Sequence, residues 1–370
     1  MSRPDVVIAG AGIIGSALAL ELADAGRRVT VVDRAEPGAG ASSAAAGMLV
    51  PQGETAAAGP FLDLARASLP LFEPLAARLR DRTGVDVELR QPGLLRVALD
   101  EGEAAHLAET AARRRADGDD ARWLDAAEAR RLEPALSPRV LGALHDPTPW
   151  QVDNERLTRA LADLARDRGV EFRLGAAVTG LSREGERVTG LETEAGPLPA
   201  GVTVLAAGAW SARLAATLGL VVPVRPVKGQ MIETRLPVGR LHALVWTADA
   251  YLVPRAAGRV LVGATVEEAG FDTRVTLGAV ASLARAACDG VPALADAGVV
   301  RAWAGLRPGT PDGLPILGAV PGLSGLVLAT GHFRNGILLA PITARLLADL
   351  ILDGRTSPLL APFTLARFAA

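Results

Sequence analysis

The first residues able to do chemistry lie in a turn. Gly10-Ala11-Gly12-Ile13-Ile14-Gly15 follows the apolar run Asp5–Ala9 and opens a segment in which Ile14, Leu18 and Leu22 recur at spacing four. Strand, glycine turn and helix in that order make a phosphate-binding unit. Gly10 permits the tight turn, Gly12 lets the backbone approach a pyrophosphate, and Gly15 lets the helix pack on the strand. The helix start adds free N–H groups and the positive end of its dipole. A second apolar run, Arg28–Asp33, ends in an acid, and the Asp33 carboxylate suits the ribose hydroxyls of an adenosine. A phosphate-free βαβ unit is the bland alternative. The fingerprint occurs once, whereas an enzyme passing hydride between a nicotinamide and a flavin usually needs two. Two more apolar runs end in glycine turns far along the chain, at Ala206-Ala207-Gly208 and Ala329-Thr330-Gly331. Contacts spread so widely suit a long cofactor such as FAD better than NAD.

These residues need a scaffold, and the chain is long enough to build one. Its 370 residues allow two domains or one large one. Apolar residues make up 49% and charged residues 22%, as in ordinary globular proteins. A net charge of −2 gives no field favouring nucleic acid or an anionic membrane. Val6 to Leu22 is apolar enough to mimic a signal peptide, but Asp5 precedes it and three glycines interrupt it. No membrane span is expected, and the reading is a cytoplasmic protein. Cys288, the only cysteine, excludes an internal disulfide and reads as an inert thiol.

Periodicity predicts helices over Phe61–Thr83, Gly102–Asp117, Asp125–Leu132, Asn154–Gly169 and Leu277–Asp289, and a last helix running to Leu350. Strands are predicted at Leu94–Leu99, Val170–Leu174, Ala177–Leu181, Val188–Thr193 and Val202–Ala206. Val224 to Gly318 reads mostly as strand. Gly38 to Gly59, rich in small side chains, is either a place where backbone meets ligand or a flexible loop. The expected fold class is α/β. A discontinuous FAD-binding Rossmann-like domain (1–85, 150–225 and 320–370) joins an α+β substrate domain with an antiparallel sheet (86–149 and 226–319).

At this point the chain resembles the D-amino-acid oxidase group of flavoproteins, and within it the glycine oxidases of thiamine biosynthesis. The stretches that carry the resemblance are GAGIIG (10–15), SSAAAGML (42–49), PVKGQ (226–230), YLVPR (251–255), VGAT (262–265), WAGLRPGTPDG (303–313) and GHFRNGILLAP (331–341). They span nearly the whole chain, and the last two are long and specific. The resemblance implies that Gly10, Gly12, Ile13, Ile14 and Gly15 hold the pyrophosphate, with Asp33 and Arg34 at the adenosine. Ala41, Ser42, Ala46, Gly47 and Met48 would line the path to the flavin. Val178 would touch adenine through its backbone. His332, Phe333, Arg334, Asn335, Gly336, Ile337 and Leu338 would wrap the pyrimidine side of the flavin. Tyr251, Arg307 and Arg334 would surround the substrate.

Physical chemistry bears on those roles independently. Arginine's planar fork clamps a carboxylate bidentately, and Arg307 stands at a strand end before Pro308. Tyr251, the only tyrosine, could share that carboxylate, or could be a satisfied core aromatic. Arg307 has its own structural alternative, an ion pair. Arg334 either reaches the substrate or anchors its loop. Lys228, the only lysine, reads as structural, and Trp246 and Trp303 read as core or pocket wall. The four histidines have no metal-ligand spacing, and no metal is expected. FAD would be bound non-covalently, and no side chain is assigned an acid–base role. The implied reaction converts glycine to glyoxylate and ammonia, hydride passing to the flavin and oxygen yielding hydrogen peroxide. The resemblance also implies thiazole supply for thiamine and a homotetramer. Sarcosine, D-alanine or D-proline are rival substrates. A quinone-coupled flavin dehydrogenase and a silent flavin-binding subunit are rivals of other kinds.

Overall fold

A computed structural model describes residues 3–53, 59–237 and 240–368. Residues 54–58 of the expected small-residue loop lie outside them. The Asp5–Ala9 run folds as the strand Val6–Ala9, every residue buried. It pairs in parallel with Val29–Asp33 on one side and Val202–Leu205 on the other. Those three strands are apolar almost throughout because both faces of a parallel sheet are covered. The sheet continues outward through Leu323–Thr330, Arg187–Thr193 and Gly196–Pro199, and on the other side to Glu171–Leu174. Val178–Glu184 and Ile316–Val320 attach as antiparallel hairpin partners. Helices Ile13–Asp24, Asn154–Asp167 and Gly336–Asp353 pack together on this sheet, burying Leu18, Leu161 and Leu347 in one core.

The second sheet runs in the order Gly298–Gly309, Arg225–Arg235, Arg259–Gly263, Tyr251–Pro254, Leu244–Trp246, Leu94–Ala98, Gly142–Asp146 and Arg122–Asp125. One pair in it, Leu244–Trp246 with Leu94–Ala98, is parallel. Alternation of side chains sorts its faces. Ile232, Leu252 and Val262 point to the helix Leu277–Gly290 and pack with Leu283. Their neighbours Met231, Tyr251 and Val253 point the other way, to a cluster with Met48 and Trp246. A ribbon of Met48–Leu49 with Trp150–Gln151 completes the strand pairings.

One expectation about elements is corrected. Phe61–Thr83 is two helices, Pro60–Ser68 and Phe72–Thr83, joined by a tight turn at Leu69–Leu71. Pro70 lacks an N–H and cannot continue the first helix. The small-residue stretch carries structure of its own, the short helix Ala41–Ala44 and the strand Met48–Leu49. The last helix begins at Gly336 and carries Pro341 inside it. No described helix is long and apolar enough to cross a membrane.

Candidate active site

The sheet order brings the three glycine turns side by side. Ala9, Leu205 and Thr330 end neighbouring strands, so Gly10, Gly208 and Gly331 line up along one edge. Gly10 holds φ +112°, and a Cβ there would run into the Ala206 carbonyl. Asp33 ties the first turn down: Oδ2 accepts the Ala11 N–H at 2.8 Å and Oδ1 that of Ala35 at 3.0 Å. Each oxygen keeps a further lone pair for a ribose hydroxyl. Thr330 joins the other two turns, accepting from Ser211 Oγ at 2.9 Å and donating to the Gly208 carbonyl at 3.1 Å. Ser42 Oγ accepts the Ile13 N–H at 2.9 Å, which leaves its own proton to donate at the start of that helix. Asn154 fixes Ser42 from behind, donating to its carbonyl at 2.7 Å.

A cavity of about 440 Å³ opens from this edge toward the second sheet. Ile13, Ile14, Ala41, Ser42, Ala46, Gly47, Met48, Gly208 and His332 through Ile337 line it, as do Tyr251 and Arg307. Gly12, in the turn, and Gly15, inside the helix Ile13–Asp24, stay behind it. Asp33, Arg34 and Val178 lie beyond its lining, grouped at the outer end of the Val29–Asp33 strand. Arg34 stacks 4.2 Å from the Trp210 ring, and Ala176, two residues before Val178, donates its N–H to the Asp33 carbonyl. Gly331 packs against Thr310. Leu338 is buried with its carbonyl accepting from Ser68 at 2.6 Å. The N–H groups of Gly336 and Ile337 precede the first helical bond, Leu339 to Asn335 at 2.9 Å, so the positive end of that helix faces the cavity.

The far wall is built on the second sheet. Arg307 is half-buried, and its Nη1 donates to the carbonyls of Lys228 at 3.3 Å and Thr265 at 3.1 Å. Gly229 runs directly beneath the guanidinium, where a Cβ would collide with it. Behind the clamp, Lys228 is buried with Nζ 3.7 Å from Glu267. Burial alone would raise the Glu267 carboxyl. Hydrogen bonds from Thr265 and Gln230 and the Lys228 charge hold it below the usual range instead. Lys228 therefore belongs to the frame that holds Arg307, not to the cavity surface. The Tyr251 hydroxyl lies 3.7 Å from Met231 Sδ. Arg334 is exposed at the mouth, 5.2 Å from the Phe333 ring. His332 is fully buried, its Nε2 3.2 Å from Thr343 Oγ1, and burial pushes its ring pKa down to about 3. The imidazole is neutral at ordinary pH and leaves only backbone to face a ligand. Trp303 donates to the Ala44 carbonyl at 3.2 Å and Trp246 lines the cavity, the core and wall positions expected of them.

Three adjacent glycine turns, two helix starts aimed at one cavity and a carboxylate at the outer end fit an extended dinucleotide. Residues 5–350 match the family described as FAD dependent oxidoreductase. The chain belongs to this family. Among curated relatives, glycine oxidase of Geobacillus kaustophilus is 41% identical over 367 residues, covering 99% of this chain and 97% of that one. A crystal structure of glycine oxidase from the same species superposes with a TM-score of 0.95 at 40% identity, covering 99% of both chains. The hydrogen cyanide synthase subunit HcnC of Pseudomonas aeruginosa is 38% identical, covering 98% of this chain and 96% of that one. The bifunctional protein ThiO/ThiG of Synechocystis is 40% identical, covering 98% of this chain but 54% of its own length. FAD is thus the cofactor of this oxidoreductase. The cavity also shows what sequence reasoning missed. Arg96 lines it, 5.6 Å from the Trp246 ring. A lone charge inside the apolar strand Leu94–Ala98 was the available signal. Val266 lines it too.

Proposed function

We propose that this FAD-dependent oxidoreductase oxidises glycine to glyoxylate, ammonia and hydrogen peroxide, and that it also takes sarcosine and small D-amino acids, each to its own oxo acid and amine. The observation that carries the proposal is Arg307, fixed by two carbonyls on the wall opposite the cofactor turns. Its fork clamps the substrate carboxylate, and Tyr251 on the same face shares it. That anchors one end of a small amino acid and turns its α-carbon to the cofactor side. Arg334 closes the mouth. Neutral His332 moves no proton, so the substrate amine enters deprotonated from solvent. Bound FAD supplies the acceptance of two electrons and their delivery to oxygen. The helix start at Gly336 and Ile337 supplies positive potential where negative charge develops.

The names of the glycine oxidase and ThiO/ThiG relatives support glycine as substrate and thiazole supply for thiamine as the use. We further propose a cytoplasmic, homotetrameric protein with two domains divided as the two sheets are. Exposed Val299 and Val300 on the edge strand Gly298–Gly309 support self-association, which light scattering on the purified protein tests. The deciding experiment measures peroxide and glyoxylate from the yellow protein in air, with glycine, sarcosine, D-alanine and D-proline side by side. Glycine at equal or better kcat/KM sustains the proposal, and flavin that no substrate bleaches ends it. A second reading, cyanide release, follows from the likeness to the hydrogen cyanide synthase subunit. An alkaline cyanide trap in the same assay separates the two.

A further inference from the structure

A second cavity of about 520 Å³ shares no lining residue with the first and has a different chemistry. Arg90, Arg240, Arg255 and Arg259 line it, with Gln151 and His242, and no carboxylate does among the described residues. Arg259 is answered from behind by Asp153 at 3.2 Å and Glu233 at 3.5 Å. Arg90 and Arg240 are exposed, with no ion-pair partner among the described residues. Arg255 differs from all of them. It is only 6% exposed, yet its buried Nη1 has no hydrogen-bond partner. Burial, partly offset by Asp153 and Glu88, brings its pKa down to about 10, which leaves it a cation at neutral pH. A second orphan lines the same cavity: Gln151 spends its Nε2 on the Pro254 carbonyl at 2.7 Å, and its buried Oε1 accepts nothing.

Two buried orphans of opposite kind ask for one ligand that both accepts and donates. A carboxylate satisfies arginine but offers no proton to Gln151. A singly protonated phosphate offers both, and its tetrahedral oxygens serve several guanidinium forks at once. We propose that this cavity binds a small phosphate-bearing anion, either inorganic phosphate or a phosphomonoester, through Arg255, Arg90, Arg240 and Gln151.

The place of Arg255 gives such binding a consequence. Its Nη2 donates to the Ala46 carbonyl at 2.6 Å and to Asn154 Oδ1 at 3.3 Å. Ala46 lines the cofactor cavity, and Gln151 pairs through its backbone with Met48, which lines it too. One guanidinium thus links the second cavity to the wall of the first, and an anion on Nη1 is felt at the cofactor wall.

The test uses holoenzyme in phosphate-free buffer and reads thermal unfolding and the flavin difference spectrum, neither of which needs a substrate. The probes are inorganic phosphate and methyl phosphate, with acetate and chloride at matched ionic strength. Saturable stabilisation by a phosphate probe with a flavin spectral shift is the expected result. Arg90→Ala and Arg240→Ala should each weaken it at least tenfold and leave glycine turnover without phosphate unchanged. Tighter binding of methyl phosphate identifies the ester as the ligand, and binding of inorganic phosphate alone identifies the free ion. Acetate stabilising as well as phosphate, or both variants responding as the parent does, overturns the proposal.

Discussion

The Arg307 guanidinium is positioned before any substrate arrives, because Lys228 and Thr265 carbonyls hold one of its nitrogens and Gly229 lies flat beneath it. A preorganised clamp loses little side-chain entropy on binding. Arg307→Ala should therefore lower kcat/KM for glycine roughly 100-fold, about 3 kcal/mol, mainly through KM. Arg307→Lys should recover only part of that, because an ammonium cannot reproduce the fork. Steady-state kinetics on both variants checks this, and an unchanged KM would falsify the clamp. Gly229→Ala tests the same geometry from the other side. The added methyl displaces the guanidinium, so KM should rise while the flavin content of the purified protein stays as it was. His332 gives a prediction in pH. Its pKa falls from the ordinary histidine value to about 3 on folding, so between those values the unfolded chain binds a proton that the folded chain refuses. Its contribution to stability is intact above pH ~6.5 and is lost progressively as pH falls toward ~3. Melting curves between pH 7 and 4.5 should show this decline, and His332→Asn should flatten it. An equal slope in that variant would assign the decline to other groups.

Among the elements, the helix Asn154–Asp167 carries the cofactor wall indirectly. Asp153 caps it by accepting the Arg156 N–H at 3.0 Å, and Asn154 then reaches the carbonyls of Ser42 and Ser43. Removing that buried amide leaves the Ser42 carbonyl unanswered, at a cost of about 1–3 kcal/mol. Asn154→Ala should loosen FAD about tenfold, read as the concentration at which diluted holoenzyme releases fluorescent flavin. Retention at the parental concentration would free this helix of the role. Elements of this kind divide sharply in how readable they were. Val6–Ala9 and Val202–Leu205 declare themselves because strands buried on both faces are continuous apolar runs. Gly142–Asp146, Gly196–Pro199 and Ile316–Val320 do not: each is a short stretch containing glycine, and the last two are held only as arms of local hairpins. The glycine turns were legible because phosphate chemistry constrains their spacing. Arg96 was hidden because nothing local says which face of Leu94–Ala98 meets a ligand. Arg255 shows in the sequence only as the last residue of YLVPR, and its unpartnered nitrogen exists only in three dimensions.

For the whole molecule, the decisive property is that neither sheet is made from one continuous stretch of chain. The expected segment boundaries came from shifts in pattern along the sequence. Ile316–Val320 pairs into the first sheet, although the expected third segment starts only at 320. In that sheet the central strand Val202–Leu205 sits between Val6–Ala9 and Leu323–Thr330, so its neighbours come from opposite ends of the chain. Ending the chain after Val320 would strip one flank of this strand and the final helix. Such a truncation should accumulate as insoluble protein on expression, and a soluble flavin-binding product would contradict the argument. During synthesis the same arrangement sets a clock. A ribosome delivers residues in order, and the nascent chain carries an apolar central strand with one edge unpaired until Leu323–Thr330 has emerged. Cofactor capture is then an act of the finished chain, and the interval before it is when this protein most needs a chaperone.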